Sequence, residues 1–239
     1  TIPSKIIHAG NATCFLEFEN NNEFRVVAGG GQKFKVTNAG VQIGGVVTGA
    51  TSYNGIPFFT DIPNQSMYTH NVSATDLNAA NNSAYGFLAL SSVTTGDENV
   101  AMGYLAGRLI TTGVQNTIVG ANAGDALTTG VSNVALGYAA LSTSVDGDSN
   151  TAIGYAALLA YEDGDGNGHN TAVGAASQAA ATTGEFNTSL GSNAMGTGVT
   201  TGNFNVALGY KALEVVTSGS HNIGLGTGAG GALTTGGEN

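Results

Sequence analysis

The sequence predicts a repeat protein, an elongated β-rich solenoid or roll in which each repeat of about seventeen residues carries a short helical segment. Three observations support this prediction. Glycine supplies 38 of 239 residues while charged residues make up only 9%, an asparagine recurs about every seventeen residues, and two glycine positions recur in step with it. Because 41% of the residues are hydrophobic, the array has enough apolar surface to fold.

The chain divides into a strand-rich shaft unit at 1–44, a connector at 45–81 and the repeat array at 82–239. In the first segment, runs of alternating apolar and polar residues are separated by Asn- and Gly-rich turns, which predicts a β-meander over about 13–44. The connector contains Pro57 and Pro63, and we interpret it as irregular.

The repeat is defined by five consecutive positions: asparagine, any residue, one of Ala, Ser, Ile or Gly, an aliphatic residue, and glycine. Successive spacings are seventeen residues, except for one of twenty and one of eighteen. A final copy begins at Asn239, so we expect the array to be truncated there or to continue. The repeat asparagines are Asn82, Asn99, Asn116, Asn133, Asn150, Asn170, Asn187, Asn205 and Asn222.

Each repeat is predicted to begin with a very short strand. The asparagines, stacked one per repeat, are expected to form a ladder of side-chain amides. The aliphatic residue before each closing glycine is expected to point inward and build the core. These predicted core residues are Met102, Val119, Leu136, Ile153, Val173, Leu190, Leu208 and Leu225.

The rest of each repeat is predicted to wind back to the next strand. The closing glycine permits positive φ or a close approach of neighbouring backbones, and a Thr-Thr-Gly turn completes the repeat. Between them, segments such as 138–141 and 155–159 are rich in alanine and leucine, which favours a turn or two of helix. Because the outward tyrosines and alanines are too apolar for a free surface, we expect copies of the chain to bury them in a homotrimer.

Both parts of the chain resemble bacteriophage tail fibre proteins, those of cyanophages in particular. The resemblance rests on segments 15–18, 22–26, 30–36 and 38–44, and on array motifs such as Asn-Thr-Ala-Ile-Gly-Tyr-Ala-Ala-Leu at 150–158 with Thr-Thr-Gly. It implies a non-enzymatic, homotrimeric fibre in the virion. Its implied partners are other virion tail proteins and a receptor or glycan on the host surface.

Three alternative functions remain open. The array also resembles the roll-shaped heads of trimeric autotransporter adhesins, which implies a bacterial surface adhesin. Regular threonine pairs on a solenoid are compatible with ice binding, and a tailspike enzyme could cut host polysaccharide with isolated acids. The sequence contains no Gly-Lys-[Ser/Thr] phosphate loop and no Gly-x-Ser-x-Gly elbow, so we predict that the chain is not an enzyme.

One motif suggests a metal. Asp163-Gly164-Asp165-Gly166-Asn167-Gly168 matches the first half of a calcium loop, in which Asp163, Asp165 and Asn167 would supply oxygen ligands. The acidic residue expected at the twelfth position is replaced by Gly174. The alternative interpretation is a polar surface turn, in which case the chain needs no cofactor.

Charge and hydropathy exclude other partners. The formal net charge is -10, and only Arg108 and Lys211 are basic beyond the first segment, so phosphate neutralisation of nucleic acid is not expected. No run approaches the roughly 20 apolar residues of a membrane span. We therefore expect a virion or otherwise extracellular location without membrane insertion.

Overall fold

A computed structural model describes residues 5–8, 11–19, 23–28, 31–37, 40–43, 51–53, 56–61, 66–68, 79–162 and 168–238. The chain divides into two compact units, Thr1–Thr51 and Ser52–Asn239. The first contains an antiparallel sheet, and the second contains a parallel β-solenoid.

The first unit is a β-meander, as the sequence predicts. Its strands are hydrogen-bonded in chain order, and β2 and β3 pair from Phe15 opposite Val27 to Glu19 opposite Glu23. A short strand that the sequence analysis did not anticipate, β1, precedes the predicted ones. The strands are β1 Lys5–His8, β2 Asn11–Glu19, β3 Glu23–Ala28, β4 Gly31–Thr37 and β5 Gly40–Ile43.

Three further strands occur where the sequence analysis predicts an irregular connector. They are β6 Thr51–Tyr53, β7 Ile56–Asp61 and β8 Ser66–Tyr68, and they belong to a twelve-stranded sheet that continues through the array. The expectation of irregular structure is wrong for these residues, whose Thr, Ile, Phe and Tyr side chains favour strands. β7 and β8 are antiparallel, whereas β8 pairs in parallel with the first strand of the array.

The array is a solenoid with one three-residue strand per repeat. Each strand pairs in parallel and residue for residue with the next, as Thr117 does with Val134. At about 4.8 Å between neighbouring strands, the nine strands span roughly 38 Å. They are β9 Ser83–Tyr85, β10 Val100–Met102, β11 Thr117–Val119, β12 Val134–Leu136, β13 Thr151–Ile153, β14 Thr171–Val173, β15 Thr188–Leu190, β16 Val206–Leu208 and β17 Ile223–Leu225.

The middle residue of each strand, not the third, points into the core. This corrects the prediction of an inward aliphatic column, since Met102 and Leu136 are exposed and Val119 is only half-buried. In a three-residue strand the first and third side chains share one face and the middle one takes the other. The buried middle residues are Ala84, Ala101, Ile118, Ala135, Ala152, Ala172, Ser189, Ala207 and Gly224.

Larger side chains reach the core from the opposite wall of each repeat. Leu90, Ile110, Leu127, Leu141 and Leu158 are all fully buried. A coil of seventeen residues encloses little volume, so alanine from the strand and one or two aliphatic side chains from the far wall fill it.

The predicted helical segments are wrong, because the structure contains no helix among the residues it describes. In segment 138–142, Ala139 and Leu141 both have φ of 53°, in the left-handed region, so no helical run can form. The N–H of Leu141 donates to the carbonyl of Ala157 in the next repeat at 3.0 Å. These backbone groups bond along the stack, which overrides the helix propensity of alanine and leucine.

The asparagine ladder is confirmed. Nδ2 of Asn116 donates to Oδ1 of Asn99 at 3.0 Å and to the carbonyl of Gly130 at 2.8 Å, while its backbone N–H donates to the same Oδ1. All nine repeat asparagines are buried. From Asn99 onward, the backbone N–H of each repeat asparagine donates to Oδ1 of the preceding one. Every repeat asparagine except Asn150 also donates from Nδ2 to a glycine carbonyl in the turn that completes its repeat.

The closing glycines have both predicted properties, a positive φ and a close approach to the backbone of the next repeat. Gly103 has φ of 141°, and a Cβ added there would lie 2.6 Å from the carbonyl oxygen of Gly120. The stack therefore requires glycine at this position for its backbone angle and for the close approach of neighbouring repeats.

Candidate functional site

The outward side of the strands forms an uncharged and mostly apolar surface, which we name the sheet face. It consists of the first and third residues of β9–β17. Met102 is 50% exposed, Leu136 44% and Leu208 45%. None of its eighteen positions carries a charge, in a chain whose formal net charge is -10. A contiguous exposed apolar surface of this kind is a candidate interaction surface.

A second surface, the tyrosine edge, runs beside the sheet face over the first five repeats. It is formed by the residue after each closing glycine: Phe87, Tyr104, Ala121, Tyr138 and Tyr155. The rings of Phe87 and Tyr104 stack at 5.8 Å with an interplanar angle of 9°. Tyr138 and Tyr155 stack at 5.6 Å and 10°. The two stacked pairs are separated by one repeat, at which the side chain is only the methyl group of Ala121.

Four rings form a continuous stack over the later repeats, which we name the ring stack. His169, Phe186, Phe204 and His221 each precede a repeat asparagine, and successive centroids lie 4.9, 5.1 and 5.0 Å apart. Phe186 and Phe204 are 44% and 48% exposed. This stack was not among the features predicted from the sequence. Aligning the residue before each asparagine would have revealed it.

The threonine pairs are arranged differently from an ice-binding surface. The first threonine of a pair donates its hydroxyl to the next repeat, as Thr94 does to the carbonyl of Thr111 at 3.0 Å. The second threonine, for example Thr112 or Thr129, is exposed, but Asp146 interrupts this column. Within the described Thr-Thr turns, the exposed column of second threonines is therefore not continuous.

The predicted calcium ligands Asp163, Asp165 and Asn167 lie outside the described residues, so the calcium loop stays a prediction. No group of three or more His, Cys, Asp or Glu side chains within the described part could hold a metal ion. Two orphaned polar atoms lie near this loop in the chain. Oδ1 of Asp146 and Nδ2 of Asn150 are both buried without a hydrogen-bond partner.

Several carboxylates of the array bind neighbouring repeats. Asp97 accepts from the N–H of Ala80 at 2.7 Å, and Asp148 accepts from the N–H of Val131 at 2.6 Å. Asp125 accepts two hydrogen bonds from Arg108, at 2.8 and 3.1 Å. These contacts give the carboxylates a role in holding the stack together.

Lys211 makes the second ion pair of the described array. Its Nζ lies 3.0 Å from Oε1 of Glu214. The hydrogen bond to Glu214, together with the negative charge of that carboxylate, raises the pKa of the exposed lysine. The pair lies outside the sheet face and leaves that surface uncharged.

Comparison with protein-family models, with curated proteins and with solved structures finds no match. Among the described residues no helix has the length and hydropathy to cross a membrane. The candidate site is therefore defined by the sheet face, the tyrosine edge and the ring stack alone.

Proposed function

We propose that the chain is a structural segment of an extracellular fibre, a phage tail fibre in type, that assembles with copies of itself and contributes to host-surface attachment. The observation that carries this proposal is the uncharged sheet face. It extends over all nine strands of the solenoid, and its exposed leucine, valine, isoleucine and methionine side chains are those of a protein interior.

The size of the sheet face fits contact with another copy. About 38 Å of stack and two rows of side chains correspond to roughly 500 Å², within the range of functional apolar patches on single chains. The tyrosine edge and the ring stack add further aromatic area along its margins. A neighbouring copy has the same spacing between strands, so its side chains can interdigitate with this surface along the whole stack.

The arrangement of the carboxylates also supports a structural function. Asp97, Asp125 and Asp148 each bridge two repeats, so their negative charge is used to hold the stack together. The threefold symmetry of the assembly rests on the resemblance to tail fibres. A bacterial adhesin would use the same interface and would differ by a membrane anchor elsewhere in its chain.

Analytical ultracentrifugation tests the proposal. We expect the chain to sediment as a homotrimer, and we expect Leu136→Glu or Leu208→Glu to weaken the assembly at least tenfold, because each places a charge in the apolar contact. The matched control is Thr129→Glu, which adds the same charge to the exposed threonine column and should leave the trimer intact. A wild-type chain that sediments as a monomer would contradict the proposal.

A further inference from the structure

The tyrosine edge contains a slot the width of one ring. Tyr104 stacks one of its faces on Phe87, and Tyr138 stacks one of its faces on Tyr155. The opposite faces of Tyr104 and Tyr138 look toward each other across the repeat that carries Ala121. Both tyrosines are 53% exposed.

The repeat spacing sets the width of this slot. Tyr104 and Tyr138 are two repeats apart, which places their rings roughly 10 Å from each other along the stack. A ring held midway would lie about 5 Å from each tyrosine, within the usual range for stacked rings. The observed stacks of 5.6 and 5.8 Å show that this edge accommodates such spacing.

The floor of the slot is small and its surroundings are uncharged. Ala121 contributes one methyl group, and the strand beside it supplies Val119 where the neighbouring strands carry Met102 and Leu136. The polar residues next to Ala121 are Tyr104 and Tyr138 on either side along the stack, with their hydroxyls, and the half-buried Asn122, which follows it in the chain. Among the charged residues of the repeats that carry Tyr104, Ala121 and Tyr138, Arg108 and Asp125 are paired with each other, and Asp146 and Asp148 lie in the turn that completes the repeat.

We propose that this slot binds one neutral pyranose ring of a glycan, held between the faces of Tyr104 and Tyr138. A pyranose has apolar C–H faces for the two aromatic rings and hydroxyl groups around its edge. Phenol hydroxyls and a carboxamide both donate and accept hydrogen bonds, which suits those hydroxyls. The absence of an unpaired charge beside the slot favours a neutral sugar over an acidic one.

The inference rests on the proposed attachment function and gives it a ligand class. The sheet face holds the copies together, while the tyrosine edge lies at its margin. Ala175 occupies the same position in a later repeat, but its neighbours are Tyr155 and Ser192, so it has an aromatic wall on one side only. Ala121 and Ala175 therefore form a matched pair for experiment, one between two aromatic rings and one beside a single ring.

Saturation-transfer NMR on the assembled chain tests the slot. The probes are the methyl glycosides of glucose, galactose, mannose and N-acetylglucosamine. We expect transfer to the ring C–H protons of at least one probe. The signal should disappear in Ala121→Tyr, which fills the slot, fall at least tenfold in Tyr104→Ala, and persist in Ala175→Tyr.

Folding and assembly are monitored in the same samples. Ala121→Tyr completes the row of stacked rings, so its melting temperature should not fall. Absence of transfer from all four probes, or transfer that survives Ala121→Tyr, would overturn the sugar site. If Ala121→Tyr instead disrupts the trimer and no probe binds, the slot holds a side chain of another copy, which overturns the sugar site but leaves the fibre function standing. A monomeric wild type that binds sugar would overturn the fibre function and leave the sugar site standing.

Discussion

Nδ2 of Asn133 lies 3.1 Å from Oδ1 of Asn116, one repeat earlier, and both side chains are fully buried. The same Oδ1 accepts the backbone N–H of Asn133 at 2.9 Å. One side-chain oxygen therefore satisfies two donors of the next repeat, which explains why the array keeps asparagine at this position.

Asn116→Leu should destabilise the array by about 3 kcal/mol. The substitution leaves the backbone N–H of Asn133 without its acceptor and removes one of the two acceptors of Nδ2 of Asn133, which keeps its bond to the carbonyl of Gly147. Each buried unsatisfied group costs about 1–3 kcal/mol. Urea unfolding followed by circular dichroism measures the change. Thr112→Ala, in the exposed threonine column, should change stability by less than about 0.5 kcal/mol. Equal stability of the two variants would contradict a stabilising ladder.

Gly103→Ala should be more destabilising than Gly226→Ala. Both glycines have positive φ, of 141° and 110°, but an added Cβ meets the carbonyl oxygen of Gly120 only at the first position, and nothing lies within 4 Å at the second. We expect Gly226→Ala to lower the free energy of unfolding by about 1–3 kcal/mol through backbone strain alone, and Gly103→Ala to lower it by more. Thermal unfolding of both variants separates the two contributions, and a smaller loss at Gly103 would refute the role of close approach.

Gln178→Leu should stabilise the solenoid by about 1 kcal/mol. Gln178 is fully buried, and its Oε1 has no partner. Leucine occupies the equivalent position at Leu158 and Leu213, with φ of 48° and 49° against 50° for Gln178, so the substitution fits the backbone. Nε2 of Gln178 donates to the carbonyl of Thr171 at 3.1 Å and to Oγ of Ser189 at 2.8 Å, and these two bonds are lost with the side chain. We expect a net gain because the orphaned oxygen is removed and a leucine packs in its place, while Oγ of Ser189 still has Ser177 as a partner.

The control for this substitution is Gln178→Ala, which removes the same oxygen but leaves a cavity and should lower the melting temperature. The Ser189 hydroxyl keeps its contact with Ser177 at 2.6 Å in either variant. If Gln178→Leu proves less stable than wild type, the buried amide contributes more than its orphaned oxygen costs.

The calcium interpretation of the loop at Asp163 predicts saturable heat on titration of Ca²⁺ into the chain, and a higher melting temperature in its presence. Asp165→Asn should remove both effects, because it takes away one of the charged ligands. Mg²⁺ serves as the control ion. If the wild type shows neither effect, the loop is a polar surface turn.

The sequence predicted the repeat, its register and the asparagine ladder because each depends on residues recurring at a fixed spacing. The short strands were predicted correctly, but the inward-pointing residue of each strand was not, because a larger side chain is ordinarily the buried one. Here the interior of a repeat admits Ala135 while Leu136 faces outward. The helix prediction failed for a related reason, since left-handed residues such as Leu141 direct backbone bonding along the stack.

The surfaces of the candidate site were only partly predictable. The prediction of assembly rested on outward tyrosines and alanines; the structure leaves Tyr138 exposed but buries Ala140, and it adds outward aliphatic side chains such as Leu136, which were expected inside. The slot at Ala121 and the ring stack around Phe186 depend on which positions become neighbours in successive repeats. An alignment on the repeat asparagines places His169, Phe186, Phe204 and His221 in one column, but the contact between their rings is seen only in the structure.

Cryo-electron microscopy of the purified chain is the most direct test of the central claim, that copies of this solenoid assemble through the sheet face. We predict a threefold particle in which successive seventeen-residue repeats rise by about 4.8 Å and Met102, Leu136 and Leu208 lie at contacts between copies. A single solenoid with these three side chains in solvent would contradict the account.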